Sequence, residues 1–243
     1  MKTIAILTAM QQELDAVLEA FGPGATRADF CGMQIHIFEQ NEIKFVLALS
    51  GVGRANTAMN AALIIREFNP NEVINVGSAG GLQEEQKILD VVIPSEIVAV
   101  DVDLTALGCE YGQVLGCPKS YFTDEKMRKK LIEVSKDLVV AHTGVIGSSE
   151  AFICREEQVR EIQRRFDNRV LCVEMEAFSI AVVCSNFNIP FAVIRSLSDV
   201  PAKGEGNEHD FNAFLNCASK NAARLLWEYS SSQQVDISLK NPL

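Results

Sequence analysis

Short, continuous runs of aliphatic residues recur along the chain, and turn-forming residues separate them. Runs that are apolar at every position are typical of strands buried on both faces of a sheet. Between Arg27 and Leu49 the runs instead alternate with polar residues around Cys31-Gly32 and Asn41-Glu42, which predicts an antiparallel meander. The continuous runs predict six strands: Thr3–Leu7, Phe45–Leu49, Val73–Val76, Asp90–Pro94, Val170–Val173 and Phe191–Ile194.

Segments with the 3.6-residue period of helices lie between several of these strands. The pairs Gly22-Pro23, Asn69-Pro70 and Ile189-Pro190 mark helix ends. We therefore predict an α/β fold with one domain over residues 1–230, a mixed, twisted central sheet flanked by helices on both faces, and a frayed polar tail over 231–243. The predicted helices are Gln11–Phe21, Ala55–Phe68, Asp124–Lys136, Glu156–Phe166, Glu174–Phe187 and Phe211–Tyr229.

Composition and charge exclude several classes of function. The 243 residues are 48% hydrophobic and 22% charged, which is the balance of an ordinary globular domain. The formal net charge of −10 argues against a nucleic acid or an anionic membrane as a partner. No apolar run reaches the roughly 18–20 residues of a membrane-spanning helix. We therefore expect a soluble protein.

The cysteines and histidines do not form the pattern of a metal site. Seven cysteines are present, none in a C-x-x-C pair, and none of the three histidines stands beside a cysteine. We expect the thiols to be reduced, which favours a cytoplasmic location. No metal and no organic cofactor is implied.

Polar and charged residues follow five of the predicted strands. Glu13 comes after the first strand, Ser50–Arg54 after the second, Gly77–Gly81 after the third, Glu174–Glu176 after the fifth and Arg195–Asp199 after the last. Ligands of open α/β sheets bind beyond the carboxyl ends of the strands, where such residues converge. The sequence therefore predicts an active site at this edge.

Each motif also has a purely structural interpretation. Gly51-Val52-Gly53 and Gly77–Gly81 lack the full spacing of a dinucleotide fingerprint or a P-loop, and each alone favours a tight turn. The acids of Glu174–Glu176 suit a helix N-terminus, and binding of vicinal hydroxyls is equally open. Arg195 and Asp199 could form an ion pair, or a buried Asp199 with a raised pKa could act as an acid.

Six motifs occur in the order and spacing of one known family, and together they resemble the bacterial 5′-methylthioadenosine/S-adenosylhomocysteine nucleosidases of the purine nucleoside phosphorylase superfamily. The resemblance runs from about Lys2 to Tyr229 and includes a segment, residues 101–113, close to that family's dimer-interface loop. The motifs are Ala9-Met10-x-x-Glu13, Ser50–Gly53, Asn75–Gly81, Ala151-Phe152-Ile153, Val173–Ala177 and Arg195–Asp199.

The resemblance implies the nucleoside phosphorylase fold and hydrolysis of the N-glycosidic bond of methylthioadenosine, S-adenosylhomocysteine and 5′-deoxyadenosine-like nucleosides. By the same resemblance Asp199 is the acid at adenine N7, Glu13 the base for water, and Glu176 the carboxylate on the ribose hydroxyls. Arg195 would orient the carboxylates. The residues implied to bind the substrate are Met10, Val52, Ser78, Gly80, Phe152, Ile153, Met175, Ser198 and Phe211.

The resemblance also implies a homodimer in which the loop over residues 103–115 completes the partner's pocket through Leu104, Leu107 and Leu115. This segment is unusually apolar for a loop, and exposed apolar patches are typical of interfaces. Many relatives carry Phe and Pro at the positions of Leu107 and Leu115, and Lys at the position of Arg54. The departures at Leu107 and Leu115 leave the preferred 5′-substituent open, whereas Arg54 retains the positive charge and the sequence assigns no effect to this change.

Two other functions remain as alternatives. A phosphate-dependent purine nucleoside phosphorylase would need an anion site, yet Glu13 in the first loop and Asn75 before the Gly-Ser turn disfavour phosphate. Arg54 is the one residue that favours it. A non-catalytic nucleoside-binding relative is compatible with the fold, but it would not need an acid and a base together.

Overall fold

A computed structural model of the chain describes residues 1–40, 42–204 and 207–237. Within these ranges the helices are α1 Gln11–Phe21, α2 Arg54–Phe68, α3 Glu125–Ser135, α4 Glu156–Arg165, α5 Ala177–Phe187 and α6 Asn207–Ile237. The strands are β1 Lys2–Thr8, β2 Thr26–Phe30, β3 Met33–Gln40, β4 Ile43–Leu49, β5 Glu72–Gly81, β6 Val91–Val92, β7 Glu96–Ala99, β8 Ser120–Phe122, β9 Ala141–His142, β10 Val145–Ser148, β11 Val170–Glu174 and β12 Phe191–Asp199.

All twelve strands join one mixed sheet, which confirms the predicted α/β fold. The order along its main path is β2-β3-β4-β1-β5-β11-β10-β7-β8, and β12 pairs with β5 and β6. β1 runs parallel to β4 and β5, and β12 runs parallel to β5. The predicted meander is confirmed as β2, β3 and β4, which pair antiparallel. Of its two predicted turns, Cys31-Gly32 has two residues with positive φ, whereas Asn41 lies outside the described residues.

Helices cover both faces of the sheet. Along β1, Ala5 and Leu7 pack into the cluster that α2 and α5 cover, whereas Ile4 and Ile6 pack into the cluster beneath α1, α3 and α6. This double burial explains why the strand is apolar at consecutive positions. None of the helices in the described ranges, the 31-residue α6 included, has the length and apolar character needed to cross a bilayer.

Two strands extend further than the hydrophobic pattern predicts. β5 continues through the glycine motif to Gly81, and β12 continues through the polar motif to Asp199. The prediction of a strand-to-helix turn at Gly77–Gly81 is therefore wrong. The reason is long-range: β5 and β12 pair in parallel over most of their length, with a bulge between Leu197 and Asp199, and this pairing holds polar residues in extended backbone.

The ends of the last two helices also differ from the prediction. Glu174 ends β11 and Glu176 precedes α5, so the helix begins at Ala177 rather than at Glu174. The last helix starts before Phe211 and continues to Ile237, so the first seven residues of the predicted tail are helical. Residues 238–243 lie outside the described residues. The predicted strand at 90–94 shortens to β6, and β7 to β10 were not predicted because two to four residues carry no periodic signal.

Candidate active site

A cavity of about 200 Å³ lies where the carboxyl ends of β1, β5, β10, β11 and β12 meet the start of α6. Its position follows the rule for ligand sites in α/β sheets. The predicted site residues that line it are Met10, Glu13, Val52, Ser78, Gly80, Phe152, Ile153, Met175, Glu176, Ser198, Asp199 and Phe211. Ala9, Ala79, Ala151, Val173 and Glu174 complete the lining.

Glu13 lies in the first turn of α1 and is buried. Its Oε2 accepts hydrogen bonds from the backbone amides of Ala9 at 3.0 Å and Met10 at 3.1 Å. Its Oε1 accepts from the backbone amide of Ser78 at 2.9 Å, and the Ser78 hydroxyl lies at 3.2 Å. Four donors from two strand ends therefore fix the carboxylate in one orientation at the cavity wall.

Asp199, the last residue of β12, is also buried, but its two oxygens differ. Oδ1 accepts a hydrogen bond from the Ser198 hydroxyl at 2.8 Å, whereas Oδ2 has no partner among the described residues. Burial raises the pKa of Asp199 to about 7; the bond from Ser198 opposes this shift, and the charge of Asp210 adds to it. A carboxyl group with a raised pKa and an oxygen without a partner can donate a proton to a ligand near neutral pH.

Two groups contact the Glu176 carboxylate, one from the turn before α2 and one from β12. Its Oε1 accepts from the backbone amide of Gly53 at 3.0 Å, and its Oε2 lies 3.5 Å from Nη2 of Arg195. Burial and the nearby Glu174 raise the pKa of Glu176, and the guanidinium of Arg195 opposes the shift. The carboxylate thus lies at the cavity wall with hydroxyl-binding capacity.

Arg195 does not line the cavity, although it was predicted as a site residue. Its side chain is completely buried behind the wall, where Nη2 lies 2.5 Å from both Glu174 Oε2 and Asn75 Oδ1. A Cβ on Gly77 would lie 2.2 Å from Nη1 of Arg195 and 2.6 Å from Oε1 of Glu13. Only glycine therefore leaves room for the guanidinium beside the carboxylates, which suits a role in orienting them.

Glu174 lines the cavity, although the sequence analysis gave it no role in the site. Its Oε2 accepts from the backbone amides of Glu176 at 2.9 Å and Ala177 at 2.8 Å, as well as from Arg195. It therefore anchors the start of α5, where a negative charge is favourable. An acid that is ionised at the buried end of a strand needs a cationic or hydrogen-bonding partner, and this requirement was the signal available in the sequence.

Aromatic and apolar side chains form the remaining wall. The rings of Phe152 and Phe211 meet edge to face, with centroids 5.4 Å apart and planes at 72°. Phe152 is 41% exposed and Val52 is 43% exposed, so apolar surface is open towards the cavity mouth. Such a wall suits a flat, apolar ring system.

The three leucines of the 103–115 loop do not line the cavity of their own chain. Leu107 and Leu115 are 63% and 61% exposed, and Leu104 is half-buried. The loop is fixed at Tyr111, whose hydroxyl donates to the Val100 carbonyl at 3.2 Å and whose ring packs beneath Arg165. Leu107 and Leu115 are therefore presented outwards on an anchored loop.

No group of three metal-ligating side chains occurs in the ranges that the structure describes. Glu13, Glu174 and Glu176 share a region, but donors of the protein occupy five of their six oxygens. These carboxylates are therefore bound mainly to donors of the protein itself.

The chain matches the Phosphorylase superfamily over residues 3–231. It is 37% identical over 225 residues to a 5′-methylthioadenosine/S-adenosylhomocysteine nucleosidase of Oceanobacillus iheyensis, covering 92% of this chain and 96% of the relative. Its structure is similar to that of the nucleosidase of Neisseria meningitidis in complex with methylthio-immucillin-A, with a TM-score of 0.89, 36% identity, and coverage of 96% and 100%. The futalosine hydrolase of Helicobacter pylori gives a TM-score of 0.90 at 28% identity, with coverage of 95% and 98%.

These similarities extend over nearly the whole chain and include the segments that form the cavity. The chain therefore belongs to the 5′-methylthioadenosine/S-adenosylhomocysteine nucleosidase family of the phosphorylase superfamily.

Proposed function

We propose that the protein hydrolyses the N-glycosidic bond of 5′-methylthioadenosine, S-adenosylhomocysteine and 5′-deoxyadenosine-like nucleosides, releasing adenine and a 5-substituted ribose. The activity in the names of its relatives supports the proposal. The observation that carries it is that one cavity contains two carboxyl groups with different hydrogen-bond partners. Four donors fix Glu13, whereas Oδ2 of Asp199 has no partner among the described residues.

Asp199 is the proposed acid. As the bond between N9 and C1′ breaks, its electron pair moves into the adenine ring, and the proton of Asp199 passes to N7. Adenine then leaves as a neutral base, and the ribosyl carbon takes on oxocarbenium character. The raised pKa of Asp199 keeps the proton available near neutral pH.

Glu13 is the proposed base. A water molecule adds to C1′ through its oxygen, and one of its protons passes to the Glu13 carboxylate. The positive charge at C1′ is discharged by this addition, so each bond that breaks is matched by one that forms. The donors around Glu13 keep the carboxylate directed at one position, which favours a single attacking water.

The other lining residues are proposed to bind the nucleoside. Glu176 would accept from the two ribose hydroxyls, and Met175 would pack against the sugar, with Ser78 and Gly80 on the nucleophile side. Phe152 would stack on adenine while the backbone of Ile153 contacts its edge. Arg195, buried behind the wall, would orient the carboxylates through its bonds with Glu174 and Glu176.

A phosphorylase is the less favoured alternative. No lysine or arginine of the described residues lines the cavity, whereas Glu13, Glu174, Glu176 and Asp199 do. Arg54, which favoured phosphate in the sequence, forms an ion pair with Asp101 outside the lining. An acidic cavity repels a phosphate anion and accepts neutral water.

A non-catalytic nucleoside-binding protein is disfavoured by Asp199 itself. A buried carboxyl oxygen without a partner costs stability, and a protein that only binds could replace it with a neutral donor. The cost is understandable where the group must transfer a proton.

We further propose that the active unit is a cytoplasmic homodimer in which Leu104, Leu107 and Leu115 of one subunit complete the other's pocket. The outward leucines of the anchored loop support the dimer. The odd cysteine count without C-x-x-C pairs supports the location.

Release of adenine from methylthioadenosine, measured with and without phosphate, tests the proposal. Sulfate at equal ionic strength controls for the added anion, and Asp199→Asn prepared identically controls for contaminating enzymes. We expect release that does not depend on phosphate. Release only with phosphate would establish the phosphorylase, and binding without release would establish the non-catalytic protein.

A further inference from the structure

Arg54 joins segments that are far apart in the sequence. It is the first residue of α2, and its Nη2 forms an ion pair with Asp101, which follows β7. Its backbone amide donates to Oε1 of Glu150 at 2.8 Å, and Nη2 also lies 3.4 Å from the carbonyl oxygen of Ser148. Nε of Arg54 lies 4.0 Å from the same Glu150 oxygen. Arg54 thus connects the start of α2 with the loops that follow β7 and β10 through both its backbone amide and its side chain.

Asp101 completes this connection from the other side. Its Oδ2 accepts from the backbone amide of Glu150 at 2.8 Å, and the Ser149 hydroxyl lies at 3.4 Å. One carboxylate therefore bridges the guanidinium of Arg54 to the loop that continues into Phe152. Asp101 also stands two residues before the 103–115 loop.

The turn before α2 also positions Glu176, which lines the cavity. Gly53 has φ of 86°, and its amide donates to Oε1 of Glu176 at 3.0 Å. A Cβ on Gly53 would lie 3.0 Å from Oε2 of Glu150. The position of the α2 start therefore controls both Glu176, proposed to bind ribose, and the segment leading to Phe152, proposed to stack on adenine.

The charges of this cluster are partly shielded from water. The side chain of Arg54 is 17% exposed and that of Asp101 is 30% exposed, and Nε of Arg54 is buried without a hydrogen bond. Solvent and salt screen such a pair less than an exposed one. Loss of one partner would leave the other charge poorly compensated.

We infer that Arg54 is a positioning residue for nucleoside binding: through Asp101 and Glu150 it sets the spacing between the ribose carboxylate of Glu176 and the adenine wall at Phe152. The inference rests on the proposed function of those two residues. It also gives a role to the arginine that the sequence analysis left without interpretation. The structure connects it to the binding walls and not to Glu13 or Asp199, so KM should respond more than kcat.

Kinetics with methylthioadenosine test the inference in the full-length protein. The variants are Arg54→Met, Arg54→Lys, Asp101→Asn and the double variant Arg54→Met/Asp101→Asn. Arg66→Met is the matched control, because Arg66 is exposed at the other end of the same helix. Thermal unfolding and sedimentation are measured for each variant, at the protein concentration of the assay.

We expect Arg54→Met to raise KM about tenfold, which corresponds to about 1.4 kcal/mol of binding free energy, while kcat changes less than about threefold. The displaced groups are those proposed to bind the nucleoside and not those proposed to transfer protons. Arg54→Lys retains the charge and should raise KM less than about threefold. The double variant should resemble Arg54→Met rather than the product of the single effects, and Arg66→Met should match the wild type.

An unchanged KM in Arg54→Met would overturn the inference. So would a KM in Arg54→Lys that equals the KM of Arg54→Met. A raised KM accompanied by dissociation of the protein into monomers would overturn it as well. A fall in thermal stability and in the active fraction at unchanged KM would also overturn it, because it would indicate a structural role alone. If the wild type releases no adenine, the proposed function fails instead, and the two failures are thereby distinguished.

Discussion

Nη2 of Arg195 lies 2.5 Å from Oε2 of Glu174, and both side chains are buried, Glu174 in the cavity wall and Arg195 behind it. The same Glu174 oxygen accepts hydrogen bonds from the backbone amides of Glu176 and Ala177 at the start of α5. The ion pair therefore links β12, which carries Arg195, to the segment that carries Glu176. A buried pair of this kind contributes through the geometry that it enforces, because desolvation offsets much of the attraction.

We expect Glu174→Ala to lower the free energy of unfolding by about 3–5 kcal/mol, because it leaves the Arg195 guanidinium buried without its main partner. Urea denaturation measures the change. Glu161→Ala is the control: Glu161 pairs with Arg164 and Arg165 on the surface of α4, and its loss should have a much smaller effect. Equal losses in the two variants would contradict the importance of the buried pair.

Asp199→Asn should lower kcat by about 10²–10⁴-fold while KM and the folded structure change little. Asparagine can still form a hydrogen bond near adenine N7 but cannot supply the proton. Adenine release at saturating methylthioadenosine measures kcat, and circular dichroism checks the fold. Turnover near that of the wild type would remove Asp199 from the role of acid.

The pH dependence should follow the protonation of Asp199, whose pKa burial raises to about 7. An acid must carry its proton, so kcat/KM should fall as the pH rises above about 7. The negative charge of Asp210 contributes to the raised pKa, and Asp210→Asn should therefore move the alkaline limb to lower pH.

Asp137→Asn, an exposed change between α3 and β9, is the control for that experiment. It should leave the pH profile in place. A limb that moves equally in both variants, or that moves to higher pH in Asp210→Asn, would separate the profile from the ionisation of Asp199.

Glu13→Gln should lower kcat at least about 10²-fold and leave adenine binding largely intact, because Glu176 and Asp199 remain. Steady-state kinetics and a titration with adenine measure the two effects. Normal turnover at saturation with a raised KM would instead make Glu13 a binding residue.

Leu107→Glu should weaken the proposed dimer by about two orders of magnitude and raise KM for methylthioadenosine, since a charge would be buried in an apolar pocket. Sedimentation and kinetics measure both properties. Val140→Glu is a matched control, because Val140 is equally exposed at 63% and lies outside the 103–115 loop. A fully active monomer would disprove the shared pocket.

Local patterns were sufficient where neighbouring residues carry the information. Helix α1 has the predicted bounds Gln11–Phe21 because an apolar face at the helical period ends at Gly22-Pro23. The meander was predictable because alternation and the Cys31-Gly32 turn are local as well. The prediction of one mixed α/β domain rested on the same signals.

Local patterns failed where a distant partner determines the backbone. Gly77–Gly81 looks like a turn in isolation, yet it is extended because β12 pairs with it from more than a hundred residues away. Glu174 looks like a helix start, yet it ends a strand because β10 pairs with β11.

The sequence by itself determined which chemical groups are available: the carboxyls of Glu13, Glu176 and Asp199 and the aromatic ring of Phe152, in motifs that identify the family. Only the tertiary structure decided the partners of each group. It placed Arg195 behind the wall against Glu174, and Arg54 against Asp101, 47 positions away. Side-chain pairing depends on distances in space, and these are set by sheet register and helix packing rather than by spacing along the chain.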